Sequence, residues 1–211
     1  MRQLVIGDKN LSSWSLRPWL ALRVAGLDFA EINVRLGQPD TKREILRHSP
    51  SGKVPCLIDG KTVVWDSLAI CEYAAELAPS LWPADAALRA EARAVSAEMH
   101  SGFPALRQHM PMNVCAAKPG EGRTPEVEAD IARILALWEA CRVRHGGDGP
   151  FLFGRFSIAD AMYAPVIWRF TTYAVAVPPL IRAWMEAMLA LPAMQEWRAG
   201  ALAETGAAPA A

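Results

Sequence analysis

The sequence predicts a two-part fold, an α/β domain over residues 1–78 followed by an all-α helical domain over residues 87–211. Three observations lead there. A short apolar run, a helically spaced segment and an alternating segment follow one another before residue 37. Two further apolar runs flank Asp59-Gly60, ahead of another helical pattern. Past the proline-bearing stretch "APSLWPADAA", every periodic segment has helical spacing.

Taken in order, Leu4, Val5 and Ile6, ended by Gly7, read as a buried strand. Leu16, Trp19, Leu20 and Val24 recur at i, i+3, i+4 and i+8, a helix that Gly26 closes. Ala30, Ile32, Val34 and Leu36 alternate as a second strand would. Strand, helix, strand makes a βαβ unit, hence two parallel strands and a right-handed crossover. A short polar helix is expected over 41–47. "VPCLID" and "KTVVW" then form a β-hairpin turning at Asp59-Gly60, and "SLAICEYAAELAP" is an amphipathic helix that Pro79 ends. The order β-α-β-α-β-β-α is the thioredoxin-like arrangement.

The second part is expected to hold helices over 87–110, kinked near Pro104, and over 125–145, 157–172, 179–190 and 193–200. The Ala-rich tail 201–211 is expected to fray.

Composition excludes several classes. The 22 basic and 22 acidic residues balance, so nucleic acid, which needs clustered Lys and Arg, is not the expected partner. No apolar run approaches the roughly 20 residues of a membrane span. Asp8 and Lys9 come too early for a signal peptide's apolar region, which points to a cytoplasmic protein. Cys56, Cys71, Cys115 and Cys141 form no C-x-x-C pair and lie at no zinc-finger spacing with His, so reduced thiols and no metal are expected. The H-E-x-x-H, G-x-G-x-x-G and P-loop patterns are missing.

Two places carry chemistry. "KVP" sets Pro55 at the entrance to a strand, where a missing N–H is costly. Either it is an ordinary trans proline at an edge, or the Val54–Pro55 bond is cis and turns the Val54 backbone outward to pair with a peptide-like ligand. The thioredoxin-like order favours the second. Asp66 and Ser67 stand where the hairpin passes into a helix, whose first N–H groups and dipole favour a carboxylate. Either residue serves as a plain cap. Together they also suit an α-amino acid, Ser67 offering its hydroxyl to the carboxylate and Asp66 taking the ammonium.

With "SGKVPCLIDG", "WDSLAICEYAAE", the proline-bearing linker and a helical second half in this order, the chain resembles the glutathione transferase family over essentially its whole length. "FSIAD" is similar to the family's capping box, in which Ser157 and Asp160 satisfy each other's backbone donors, with Phe156 and Ala161 as a weak apolar staple. The resemblance implies glutathione as co-substrate, with Trp14, Lys53, Val54, Pro55, Asp66 and Ser67 around it. It also implies a homodimer and a second, small electrophilic substrate.

"SSWSLR" is similar to the S-S-C-S-x-R motif of the zeta-class transferases, the maleylacetoacetate isomerases, with Trp14 in place of the motif cysteine. Register on Arg17 puts Ser12 at that class's catalytic serine and Ser13 next to it. A free thiol of pKa about 8.5 is only a few per cent ionised at neutral pH, so a hydroxyl donating to sulfur would activate it. Ser12 and Ser13 are both candidates, and Ser15 is expected to cap or pack. Arg17 faces a dimer partner, a substrate carboxylate or an internal salt bridge. Met99, Phe103, Leu106 and Met110 make a helical stripe that is either core or, by family analogy, the wall of the electrophile pocket. His100 and Arg107, seven apart and so on one helix face, are either solvated or bind an anionic or carbonyl substrate.

An enzyme of glutathione-dependent transfer or isomerisation is therefore the first reading. A non-catalytic interaction module of the same fold is the alternative. A thiol reductase fits less well, because serines stand where such enzymes carry cysteine, and Cys56 lies on a strand after the proline.

Overall fold

The expected βαβ unit opens the chain in a computed structural model that describes residues 1–206. Strand β1 (Arg2–Gly7) runs parallel to β2 (Phe29–Val34), with Val5 opposite Ile32. Strand β3 (Cys56–Asp59) is antiparallel to β1, and β4 (Thr62–Val64) returns along β3. The loop between them is Gly60-Lys61, one residue past the expected Asp59-Gly60 because Asp59 still pairs with Thr62, and Gly60 has φ +61°, a left-handed position that favours glycine. The sheet order is β2-β1-β3-β4, a thioredoxin-like mixed sheet. Helices α1 (Ser13–Val24), α2 (Thr41–Leu46) and α3 (Ser67–Leu77) complete this half.

The second half is helical: α4 (Ala86–Ser101), α5 (Pro104–His109), α6 (Pro125–His145), α7 (Ile158–Thr172), α8 (Pro179–Leu189) and α9 (Pro192–Thr205). Helix α6 matches its expected span because both ends are marked. Thr124 accepts from Val127 N–H at 3.3 Å with Pro125 at the first helical position, and Gly146 follows the last turn. Around 149–155 the backbone forms two isolated bridges, Phe151–Gly154 and Phe153–Arg155, which periodicity did not signal.

The single kinked helix expected over 87–110 is two helices. Gly102 leaves α4 in an extended conformation, where a Cβ would come within 2.7 Å of the Glu98 carbonyl. Phe103 then takes φ +61°, outside the helical region disfavoured before proline, and Pro104 starts α5. Helix α9 runs to Thr205, beyond its expected end at 200 and into the tail expected to fray. Residues 207–211 of that tail lie outside the described residues.

Helix α1 is not one-sided as its spacing suggested. Ser13 and the run from Ser15 to Leu22 are buried, while Val24, expected inside, is 37% exposed. The reason is tertiary: α1 packs on β1, α3, α7 and α9 at once, so the helical half covers the side a lone domain would leave wet. The joint core includes Trp19 against Trp197 edge-on at 5.1 Å, and Trp138 against Trp184 at 4.6 Å.

Asp160 has the structural role expected of it. Its carboxylate accepts from Ser157 N–H and Oγ, closing the capping box, and also from Leu152 N–H at 3.0 Å and Trp184 Nε1 at 2.9 Å. Phe156 meets Phe151 edge-on at 5.7 Å. All four cysteines are free; burial pushes the Cys141 thiol up to about 12 and raises that of Cys56, the wrong direction for a nucleophile. Among the described residues, no helix is long and apolar enough to cross a membrane.

Candidate active site

The segment entering β3 and the start of α3 enclose a cleft of about 500 Å³, lined by Trp14, Ser51, Lys53, Val54, Pro55, Trp65, Asp66 and Ser67. The Val54–Pro55 bond is cis, and so is Trp65–Asp66. Asp66 is the N-cap of α3, its Oδ1 accepting from Leu68 N–H at 2.8 Å. Ser67 is 1% exposed, and its Oγ is buried with no hydrogen-bond partner among the described residues. A buried hydroxyl without a partner is costly, and at a helix N-terminus it adds a donor to a place already suited to a carboxylate.

The three serines of α1 divide their roles. Ser15 is fully buried; its Oγ accepts from Gly7 N–H at 3.1 Å and from Ser12 Oγ at 2.7 Å. It packs and braces, as expected of it. Ser12 is the N-cap position but makes no side-chain cap bond, since its hydroxyl turns to Ser15. Ser13 occupies the first helical position. Both are 6% exposed, and Trp14 lines the cleft where they do not.

Trp14 is the meeting point of the two halves. The Arg17 guanidinium lies 4.3 Å from its ring and that of Arg107 4.7 Å, while His100 meets it edge-on at 5.4 Å. Arg17 is fully buried. Its Nε donates to the Met162 carbonyl at 3.1 Å, and both terminal nitrogens lack partners among the described residues. Burial, then the charges of Arg107 and Arg169, push its pKa down to about 9. No salt bridge to Arg17 is formed among the described residues, so the internal ion pair expected as one option is replaced by stacking on Trp14.

His100 and Arg107 do not share a helix face, because the break at Gly102 and Phe103 puts them on separate helices. Arg107 instead caps α4: Nε donates to the Gly102 carbonyl at 2.9 Å and Nη2 to the carbonyls of Met99 and His100. His100 Nε2 reaches Asp66 Oδ2 at 3.3 Å. Met99 and Phe103, also expected on a pocket wall, are 1% and 6% exposed and packed in the core with Leu106 and Met110. The stripe is core, the first of its two expected readings. Ser51 and Trp65 were not foreseen in the cleft; each adjoins a motif that was, and that proximity was the available signal.

A thioredoxin-like half whose cis-proline loop shares one cleft with a helix N-terminus, followed by a helical half, defines a two-domain fold of the transferase type. Family models described as the glutathione S-transferase N-terminal and C-terminal domains match residues 11–77 and 121–199. The maleylacetoacetate isomerase of Rattus norvegicus is 30% identical over 196 residues, covering 89% of this chain and 87% of that one. A zeta class glutathione S-transferase of Euphorbia esula is 32% identical over 158 residues, 72% of this chain and 66% of that one. Among solved structures, the theta class glutathione S-transferase of Xanthomonas axonopodis pv. citri, with glutathione bound, superposes with a TM-score of 0.62 at 27% identity, over 92% of this chain and 95% of that one. The chain belongs to the glutathione transferase family.

Proposed function

We propose that this chain binds glutathione in the Trp14–Ser67 cleft and activates its thiol for attack on, or isomerisation of, a small electrophile. The buried Ser67 hydroxyl, without a partner among the described residues and sharing the cleft with the cis Val54–Pro55 loop, carries this reading. In it, Ser67 and the first N–H groups of α3 hold the γ-glutamyl carboxylate, Asp66 takes the ammonium, and Val54 pairs with the cysteinyl backbone. Lys53, exposed at the cleft rim, faces the glycyl end.

The thiol then lies toward the N-terminus of α1. Lowering its pKa by about two units takes roughly 2.7 kcal/mol. Ser12 supplies much of this by turning its hydroxyl from Ser15 to the sulfur. A hydrogen bond to an ionised group contributes about 1.5–3 kcal/mol, against about 0.5–1.5 for a neutral one, so the thiolate outcompetes the Ser15 oxygen. Ser13 is the alternative donor. The electrophile meets the sulfur beside Trp14, where His100 and Arg107 arrive from the helical half. The reading includes a two-fold homodimer, the commonest soluble assembly, working in the cytoplasm, where thiols stay reduced.

Retention on immobilised glutathione, with turnover tested on halonitroarenes, maleylacetoacetate analogues, epoxides and hydroperoxides, separates an enzyme from a non-catalytic module. Ser67→Ala is expected to weaken glutathione binding about 10- to 150-fold by calorimetry. It should leave the thermal midpoint of the ligand-free protein unchanged or higher, because a buried unpaired hydroxyl is removed. Parent-like affinity in this variant would overturn the proposed pose.

A further inference from the structure

The loop from Asp8 to Ser12, which delivers the serines to α1, is held by the far end of the chain. Leu11 and Ser12 N–H donate locally, both to the Asp8 carbonyl at 3.1 and 2.8 Å. Lys9 and Asn10 N–H have no such local acceptor; they donate to Glu204 Oε2, on the last turn of α9, at 2.7 and 3.4 Å. Glu204 Oε1 accepts from Asn33 Nδ2 at 2.7 Å, so the carboxylate is oriented from β2 as well.

Neighbouring contacts close the same grip. The Lys9 ammonium pairs with Glu31 at 2.7 Å, and its stem crosses α9 at Gly200, where a Cβ would stand 2.6 Å from Lys9 Cδ. Asn10 ties the loop to the helical half again, its carbonyl accepting from Val114 N–H at 3.2 Å and its Oδ1 from Cys115 N–H at 3.0 Å. A carboxylate on the last turn of a helix opposes the helix dipole, so Glu204 does nothing for α9 itself. Its Oε2 accepts from the loop, and its Oε1 from the β2 side chain that orients it.

We infer that Glu204 is a positioning residue for the thiol site, fixing the 8–12 loop and through it the N-terminus of α1. The inference rests on the function proposed above for where the thiol lies. Loosening that loop should displace the thiol donors without touching the groups that bind the rest of glutathione.

Glu204→Ala and Glu204→Gln separate this from other roles. For Glu204→Ala, the thiolate absorbance of the glutathione complex should titrate about one pH unit higher, and kcat should fall about tenfold. The glutathione Kd should stay within about twofold of the parent. Glu204→Gln keeps one acceptor oxygen and should lie between the two. Amide exchange of Lys9 and Asn10 in ligand-free protein should speed up in both. If both variants shift the titration equally to lower pH, the carboxylate acts by its charge alone and the inference fails. A lowered melting temperature with parent kcat and titration would reduce Glu204 to a structural contact, and also overturns it. Should Glu204→Ala not fold, Asn33→Ala, which frees Oε1, is expected to give a smaller shift in the same direction; no shift there refutes the inference. A parent that shows no glutathione thiolate would sink the proposed function instead, and the amide exchange would still report on the loop.

Discussion

His100 Nε2 lies 3.3 Å from Asp66 Oδ2, joining the C-terminal turn of α4 to the N-cap of α3 across the boundary between the two halves. Asp66 Oδ1 is already occupied by Leu68 N–H, so both carboxylate oxygens have partners before any ligand arrives.

In the proposed pose, glutathione's ammonium competes with His100 for Asp66. The Asp66 side chain is 47% exposed, and exposed pairs contribute only about 0.2–1 kcal/mol. His100→Ala is therefore expected to tighten glutathione binding modestly, up to about fivefold by calorimetry. Weakening instead would show that the imidazole orients Asp66 for the ligand.

The serines are separated by titration of bound thiolate. Ser12→Ala should raise the midpoint by about one to two pH units and lose most turnover while keeping glutathione affinity. Ser13→Ala should change it little. The reverse pattern would move the donor one residue along the helix. If neither variant shifts, the α1 N-terminus and the cations around Trp14 stabilise the sulfur without a hydroxyl.

Glu31 provides a pH-dependent stability test away from the cleft. Burial by itself would raise its carboxyl, but the bonds from Lys9 and Trp19 Nε1, each 2.7 Å, and the charges of Lys9 and Arg23 outweigh it and hold the carboxyl below its ordinary range. A depressed folded-state pKa contributes stability above the unfolded value of about 4.3 and loses it as pH falls through the folded value. Glu31→Gln should thus be less stable than the parent at pH 7 in urea titrations, and the gap should close toward pH 3. A gap that stays constant over that range would mean the ion pairs contribute nothing.

Much of the architecture is legible in local chemistry. Thr124, Pro125 and Gly146 mark α6 at both ends, Gly60 marks the hairpin to within one residue, and Ser157 with Asp160 marks the start of α7. The cleft residues Val54, Pro55, Asp66 and Ser67 were readable for the same reason, since a proline at a strand entrance and a cap before a helix act through their own backbone. The helix break was less so. Pro104 disfavours a helical residue before it, but that Phe103 takes a left-handed conformation its residue type disfavours is seen only in the fold, where Met99, Leu106 and Met110 pack into one core.

By itself, then, the sequence determined the order of the elements, the family, and the backbone features of the cleft, because caps, turns and periodicity are short-range. Tertiary structure alone decided what meets around Trp14 and the serine loop: Arg17 donating to the Met162 carbonyl, Arg107 brought over the Trp14 ring, His100 set against Asp66, and Glu204 holding a loop 195 residues away. Those contacts depend on which faces meet when two halves share one core, and no spacing within either half encodes that.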